Sequence, residues 1–200
     1  MKTTVNSSRG KHFEKRVLNR LQSHFDPDCI FYNLNIPGRK DGETQIDFVL
    51  LDRTGTYIIE AKGYSGTVTG SYDDVKWTKT LTSRNGNIWK KKVMNPLFQN
   101  RGHIRYLKKL LADETIPMFS VAVISEKCDL SAVTGNHRGE YVFNIKEFST
   151  KMEELIGSRR KSLNEEQLEK VKTVLKNQKC CPMATYHVAS SECPGKRVNQ

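Results

Sequence analysis

The sequence lacks long apolar runs and is poor in cysteine, and both features restrict the class of protein it encodes. No segment approaches the roughly 20 apolar residues of a membrane-spanning helix, and residues 1–16 contain no apolar stretch typical of a secretory signal. The five cysteines are an odd number scattered along the chain, which does not indicate a disulfide framework. We therefore expect a cytoplasmic protein with reduced thiols and no membrane partner.

Acidic residues are scarce relative to basic ones. The chain has 22 Asp and Glu against 33 Lys and Arg, and its formal net charge is +11. Each phosphate that a Lys or Arg neutralises releases counterions, so such a surface attracts polyanions regardless of their sequence. Nucleic acid is therefore the first partner to consider. A generally basic, solvated surface is the alternative, and net charge alone does not decide between the two.

Glycine and proline are also infrequent, with 13 and 6 residues in 200, which argues against a disordered or fibrous chain. Hydrophobic periodicity predicts an alternation of helices and strands. We expect helices at residues 11–24, 96–111, 150–156 and 164–177, and strands at residues 29–36, 45–51, 56–61, 119–124 and 141–145, with further short strands between 65 and 93. This order predicts a mixed α/β layer fold. The segment Ser162-Leu163-Asn164-Glu165 is a candidate capping box for the last helix.

Residues 52–55 (DRTG) separate two β-rich segments and suit a tight turn, so a hairpin is expected there. A turn centred on this segment places Asp47 directly opposite Glu60, with Cβ atoms roughly 4.5–5.5 Å apart. Lys62 points to the same face because strand side chains alternate with a period of two. The turn spacing thus brings two carboxylates and a lysine together, provided that no bulge shifts the register.

Two carboxylates this close repel each other when both are ionised, unless a cation lies between them. Mg²⁺ favours carboxylate oxygens and keeps several bound waters, which leaves room for a phosphate oxygen and an attacking water; Mn²⁺ is a possible substitute. Lys62 is then expected to orient that water or to offset charge that develops on the phosphate. The alternative is an ordinary surface pair of Glu60 and Lys62 worth ~0–1 kcal/mol. Two charged residues at the end of a strand that is otherwise apolar favour the functional interpretation.

Two further polar residues lie on helices near this hairpin in sequence. On a helical wheel, Glu14 falls inside the apolar stripe of the first helix, where a carboxylate needs a metal or cation as its partner. An acid that interacts with the dipole at the helix start is an equally good interpretation. Gln99 and His103 are four residues apart on one face of the second helix. Gln99 is placed to reach a phosphate or a metal-bound water, and the alternative is an ordinary polar residue at the helix start. For His103, a structural role is the better interpretation.

A second turn at Asn85-Gly86 is flanked by segments that mix aromatic and basic residues. The candidate nucleic-acid-binding residues are Lys76, Trp77, Lys79, Trp89, Lys90, Lys91 and Lys92. Cations would contact phosphates and the rings would stack on bases. A solvated amphipathic hairpin with two packed tryptophans is an equally good interpretation.

The C-terminal segment contains cysteine and histidine, which are zinc-ligand types. Cys180, Cys181, His187 and Cys193 lack the paired C-x₂-C spacing that is typical of structural zinc sites. We therefore expect residues 179–200 to form a flexible tail without zinc.

Four segments occur in the order found in a known family. They are Gly10-Lys11-x-x-Glu14, Gln45-Ile46-Asp47, YIIEAKGYSG at residues 57–66, and Asn95-Pro96-x-x-Gln99. Together they resemble the nuclease-related domain (NERD) of the PD-(D/E)XK superfamily. The resemblance covers residues 8–124, and we expect residues 125–178 to complete or extend the same domain.

The resemblance implies a restriction-endonuclease-like fold, with a mixed sheet flanked by helices, and a Mg²⁺-dependent nuclease site. The positions that match the family's site are Asp47, Glu60 and Lys62, with Glu14 as a further metal ligand and Gln99 in support. The chain has Phe48 where the family commonly has His, and it has no clear zinc finger. A catalytically inactive nucleic-acid-binding module and a protein-interaction module are the alternatives. The sequence does not specify DNA or RNA, the position of cutting, or the oligomeric state, although DNA is the expected substrate.

Overall fold

The structure is a computed structural model that describes residues 4–38 and 42–180. The elements in these two ranges are α1 (Thr4–His24), a single 3-10 turn (Pro27–Cys29), β1 (Ile30–Pro37), β2 (Glu43–Asp52), β3 (Gly55–Lys62), β4 (Gly66–Ser71), β5 (Lys76–Thr82), β6 (Ile88–Met94), α2 (Pro96–Leu111), β7 (Met118–Ile124), β8 (Cys128–Thr134), β9 (Glu140–Asn144), α3 (Phe148–Gly157), α4 (Glu165–Lys176) and β10 (Lys179–Cys180). The fold is therefore mixed α/β, as the sequence predicts.

The strands form two mixed sheets. The larger sheet has the order β10-β1-β2-β3-β7-β9, and the smaller one has the order β6-β5-β4-β8. In the larger sheet β1, β2 and β3 pair antiparallel, whereas β3, β7 and β9 pair parallel. β3 therefore lies at the junction of the two kinds of pairing. Residues 63–65 connect its end directly to β4 in the smaller sheet.

Helices cover both faces of the larger sheet. Residues from α1 and α3, such as Leu21 and Phe148, pack with Phe48 and Ile59 on one face. Residues from α2 and α4 pack with Ile58 on the other face. All residues of β3 except Lys62 are buried, as expected for a strand covered on both sides. Charged side chains at the end of this strand are therefore held in a low-dielectric environment.

α2 begins where the sequence predicts and is fixed to the sheet by buried amides. The Asn95 side chain accepts a hydrogen bond from Leu97 N at 2.9 Å, and Pro96 occupies the first turn. Asn100 Nδ2 donates to the carbonyls of Ile58 and Val121 at 3.0 and 3.2 Å. These bonds hold α2 against β3 and β7, and they set the position of every side chain on that face of the helix.

Three element predictions are wrong in detail. α1 begins at Thr4 rather than at residue 11. β8 is not predicted, because it is a short strand at the edge of the smaller sheet and four of its seven residues are exposed. The capping box of α4 is formed by Asn164 and Gln167, not by the segment that starts at Ser162. Ser162 is engaged elsewhere, because its hydroxyl donates to Thr54 O at 3.1 Å.

The segment after α4 returns to the larger sheet. Lys179 and Cys180 pair with Asn35 and Leu34 of β1, so these two residues belong to the sheet rather than to the expected tail. The rest of that tail, including Cys181, His187 and Cys193, lies outside the described residues. No helix in the described ranges is both long and apolar enough to cross a membrane.

Candidate functional site

The strand pairing of the larger sheet is interrupted at Asp47. On one side, β1 pairs with β2 at Tyr32–Phe48 and again at Leu34–Ile46, but Asn33 and Asp47 between them are skipped. On the other side, the pairing of β2 with β3 ends at Phe48–Ile59. The pairing thus ends one residue short of Asp47 and Glu60, so the predicted register does not extend to these two residues.

Asn33 explains the interruption on the β1 side. Its φ is 53°, in the left-handed region that non-glycine residues rarely adopt. The faces of both strands change at this point: Ile46 packs with the α2 side of the sheet, whereas Phe48 packs with the α1 side. Side chains two apart on a regular strand share one face, so the backbone is twisted locally at Asp47. No pattern in the sequence indicates this role for Asn33.

The Asp47 carboxylate takes the place of a missing backbone partner. Its Oδ2 accepts a hydrogen bond from Ala61 N at 2.9 Å, so the carboxylate lies between β2 and β3. Its charge also acts on the neighbouring Glu60 carboxyl group. This location brings Asp47 close to groups from both faces of the sheet.

Glu60 is the buried centre of the cluster. Only 1% of its surface is exposed, and the Lys62 ammonium lies 2.5 Å from its Oε1. Its Oε2 is buried and has no hydrogen-bond partner. A buried carboxylate oxygen without a partner is costly, so this atom is available to a cation or a donor.

Burial and mutual repulsion raise the pKa values of both strand carboxyls. For Glu60, burial and the neighbouring charge of Asp47 raise the pKa to about 8. For Asp47, burial raises the pKa, although the Ala61 amide and the Lys62 charge act in the opposite direction. Burial lowers the pKa of Lys62, but its interactions with Glu60 and Asp47 outweigh that effect and leave it raised. Without a further cation, the carboxyl pair therefore retains a proton at neutral pH.

Glu14 approaches this cluster from α1. It is partly buried, and burial together with the charge of Asp47 raises its pKa, while Lys62 lowers it. Glu14 therefore interacts electrostatically with Asp47 and Lys62. Its role as a metal ligand stays a prediction.

α2 contributes a histidine from the opposite face. His103 is 3% exposed, and its Nδ1 lies 3.9 Å from Glu60 Oε2, beyond hydrogen-bond distance. Both atoms lack hydrogen-bond partners. Burial and the Lys62 charge lower the pKa of His103 to about 4, so the imidazole is neutral at pH 7. The sequence analysis predicted that His103 shares a helix face with Gln99, but it assigned His103 only a structural role and did not predict its proximity to Glu60.

Gln99 lies one turn before His103 on α2 and is partly exposed. Gln99 therefore lies on the same face of α2 as His103, and this face is directed toward Glu60. Its expected contact with a phosphate or a metal-bound water stays a prediction.

The donor set at the cluster fits a hard divalent cation. Asp47 and Glu60 offer carboxylate oxygens, of which Glu60 Oε2 is unpartnered, and Mg²⁺ is commonly held by one or two carboxylates and several waters. Among the described residues, however, no group of three or more His, Cys, Asp or Glu is arranged to hold a metal ion. Glu14 does not complete such a group in this conformation.

The two tryptophans of the basic hairpin differ completely in exposure. Trp77 is fully buried, and its Nε1 donates to Ser71 O at 2.8 Å. It packs in the core of the smaller sheet with Val68 and Leu97, so its expected role in base stacking is wrong. Trp89 is 55% exposed, and its ring is accessible.

The fold and the acidic cluster together correspond to a nuclease-like architecture. A family model described as the nuclease-related domain matches residues 9–125. Because this match covers more than half of the chain, the protein belongs to the nuclease-related domain family. Placement in the PD-(D/E)XK superfamily is consistent with this membership. All five predicted site residues, from Glu14 to Gln99, fall within the matched segment.

The chain is also similar to an uncharacterized protein of Bacillus anthracis. The two are 29% identical over 144 residues, which is 71% of this chain and 65% of the relative. The chain therefore spans slightly less than two thirds of that relative's length. No solved structure matches the chain.

Proposed function

We propose that this protein is a metal-dependent nuclease that hydrolyses phosphodiester bonds of nucleic acid, with DNA as the expected substrate. The observation that carries the proposal is the buried Glu60, which is bound to Lys62 through one oxygen and has no partner at the other. Membership of the nuclease-related domain family supports it. Burying several charged groups together costs folding stability, and a functional role in metal binding accounts for their presence here.

Asp47 and Glu60 would hold a Mg²⁺ ion, and Mn²⁺ is an acceptable substitute. A bound divalent ion would lower the pKa of a coordinated water and polarise the phosphate. The chain's own residues then have distinct tasks. The Ala61 amide holds the Asp47 carboxylate in position, and Lys62 offsets negative charge at the reacting phosphate. Glu14 and Gln99 flank the cluster and support substrate or water.

The experiment is a cleavage assay on linear and circular DNA in Mg²⁺, Mn²⁺ or EDTA. Asp47→Asn and Lys62→Ala are compared with the wild type, since Asp47→Asn keeps the size of the side chain. Metal-dependent cutting that is lost in both variants is the expected result. Cutting of the circular form would identify an endonuclease, and cutting of the linear form alone an exonuclease. Equal cutting by the wild type and both variants would refute the assignment of the site.

A second candidate is a non-catalytic nucleic-acid-binding module with the same fold. Two observations favour it: Lys62 occupies one oxygen of Glu60, and the described residues provide no three-ligand group. This candidate predicts salt-sensitive binding of DNA without cleavage in any metal. The same assay, with a binding measurement in EDTA beside it, therefore separates the two functions.

A further inference from the structure

The hairpin formed by β5 and β6 carries positive charge that carboxylates do not offset. Residues 75–112 contain ten Lys and Arg and no Asp or Glu. Six of these cations belong to the hairpin: Lys76, Lys79, Arg84, Lys90, Lys91 and Lys92. In the part of the chain that the structure describes, none of the six forms an ion pair. The hairpin therefore presents positive charge that an anionic partner could neutralise.

The register of the hairpin divides these residues between two faces. Trp77 pairs with Val93, Lys79 with Lys91, and Leu81 with Trp89, and all six side chains share one face because alternate residues of a strand do so. We call the exposed part of it, formed by Lys79, Lys91, Leu81 and Trp89, the inner face. Lys90 and Lys92 pair with Thr80 and Thr78 and lie on the opposite, outer face.

The inner face leads to the Glu60 cluster through Tyr64. The Lys79 ammonium lies 5.7 Å from the centre of the Tyr64 ring, and the Tyr64 hydroxyl donates to Met94 O at 3.1 Å. Tyr64 follows β3 two residues after Lys62, and its backbone N–H donates to Lys62 O at 2.8 Å. Tyr64 therefore connects the hairpin with the carboxylates of the site.

The inner face places two like charges directly opposite each other, since Lys79 pairs with Lys91. Like charges in this position destabilise a hairpin, and a phosphate between them would reverse the effect. Beyond them, Trp89 offers an accessible ring with Leu81 opposite. In a duplex, neighbouring bases cover each other's faces, so such a ring stacks well only on the bases of an unpaired strand.

We propose that the inner face binds single-stranded nucleic acid and leads it to the Glu60 cluster. Lys79 and Lys91 contact its phosphates, and Trp89 stacks on a base. Lys90 and Lys92, although equally basic, do not take part. This inference rests on the proposed function, because it assumes that the single-stranded nucleic acid led to the Glu60 cluster is the substrate of the nuclease.

The test measures binding in EDTA, where cleavage does not interfere. A thymidine oligonucleotide of about 16 nucleotides and a duplex of the same length are titrated into the protein while tryptophan emission is recorded. Because Trp77 is buried and Trp89 is exposed, quenching by the single strand is expected to come from Trp89. Trp89→Ala should remove the quenching and, measured by anisotropy of a labelled oligonucleotide, should weaken binding about tenfold.

Lys91→Ala and Lys92→Ala form a matched pair, because the two residues are adjacent, exposed and equally charged but lie on opposite faces. Lys91→Ala should lower the slope of log K against log salt concentration by about 0.7, and Lys92→Ala should leave it unchanged. Equal slopes in the two variants, tighter binding of the duplex, or no binding of the single strand would overturn the inference. A shift of the tryptophan emission maximum when the protein alone is concentrated would assign the exposed Trp89 and Leu81 to self-association and would also overturn the inference.

Cleavage by the same variants separates this inference from the nuclease assignment. If the wild type cuts a single strand and Trp89→Ala cuts it equally well, the inference fails and the nuclease assignment stands. If binding depends on the inner face but no metal supports cutting, the binding surface stands and the nuclease assignment fails.

Discussion

Lys62 Nζ lies 2.5 Å from Glu60 Oε1, while Oε2 of the same carboxylate, buried beside His103, has no hydrogen-bond partner. The lysine therefore satisfies half of the carboxylate and leaves the other half for a cation. It remains close enough to Asp47 to affect the pKa of that residue as well. A single lysine thus interacts with both carboxylates of the proposed site.

Replacing Lys62 by Met should lower the rate of DNA cleavage about 100-fold or more, because a positive charge directed at the reacting phosphate is lost. The protein should remain folded, since Glu60 retains a proton at neutral pH. Single-turnover cleavage rates and circular dichroism would test both points. Lys146→Met, which removes an exposed lysine after β9, is the control. Similar rates in the two variants would exclude Lys62 from the reaction.

The stability of the metal-free protein should fall as the pH rises from 6.5 to 8. In this range folded Glu60, with its pKa raised from 4.5 to about 8, keeps a proton that the unfolded chain has released. The free energy of unfolding should therefore decline by up to about 1.4 kcal/mol per pH unit. Below about pH 6.5 the lowered pKa of His103 has the opposite effect. Urea unfolding of wild type and Glu60→Gln isolates Glu60, because the variant should lack the decline.

Mg²⁺ should raise the melting temperature of the protein more at pH 8 than at pH 6. At pH 6 the ion must displace the proton held by Asp47 and Glu60, so its apparent affinity is lower. Binding to the folded state alone stabilises it by mass action. Thermal unfolding at several Mg²⁺ concentrations measures this effect, with Asp47→Asn as the control that should not respond. A shift of the same size in that variant would place the ion elsewhere.

Asn33→Gly should leave the fold and the activity largely intact, whereas Asn33→Val should destabilise the protein by about 2–3 kcal/mol. Glycine adopts a φ of 53° without strain, but a β-branched residue does not. Valine should also reduce cleavage, because a regular β1 would pull Asp47 away from Ala61. Unfolding midpoints and cleavage rates of both variants test this. Equal stability of the two variants would contradict the structural role of Asn33.

The sequence predicted the centre of the site because that centre depends on local geometry. A two-residue turn between Asp52 and Gly55 fixes the register of β2 and β3 as far as Phe48 and Ile59, and this register brings Asp47 and Glu60, the next residues of the two strands, near each other. The cap at Asn95 is equally local, and it determines where α2 begins. Such features follow from short-range spacing, and the structure has them as expected.

Other features depend on contacts distant in sequence and were not predictable. Trp77 and Trp89 occur in similar basic surroundings, and only the packing of the smaller sheet determines which of them is buried. His103 becomes a neighbour of Glu60 because Asn100 fixes α2 against the sheet. The left-handed backbone of Asn33 likewise depends on the strands around it. Sequence periodicity carries no information about these relationships.

The interrupted pairing at Asp47 also has a consequence for solvent exchange. Most amides of β3 are protected by neighbouring strands, but Ala61 N is bonded to the Asp47 side chain. Its hydrogen should therefore exchange with deuterium at a rate set by that carboxylate, while the amides around it follow the opening of the whole sheet. The exchange rate of this single amide thus measures how stably the Asp47 carboxylate is held in the site.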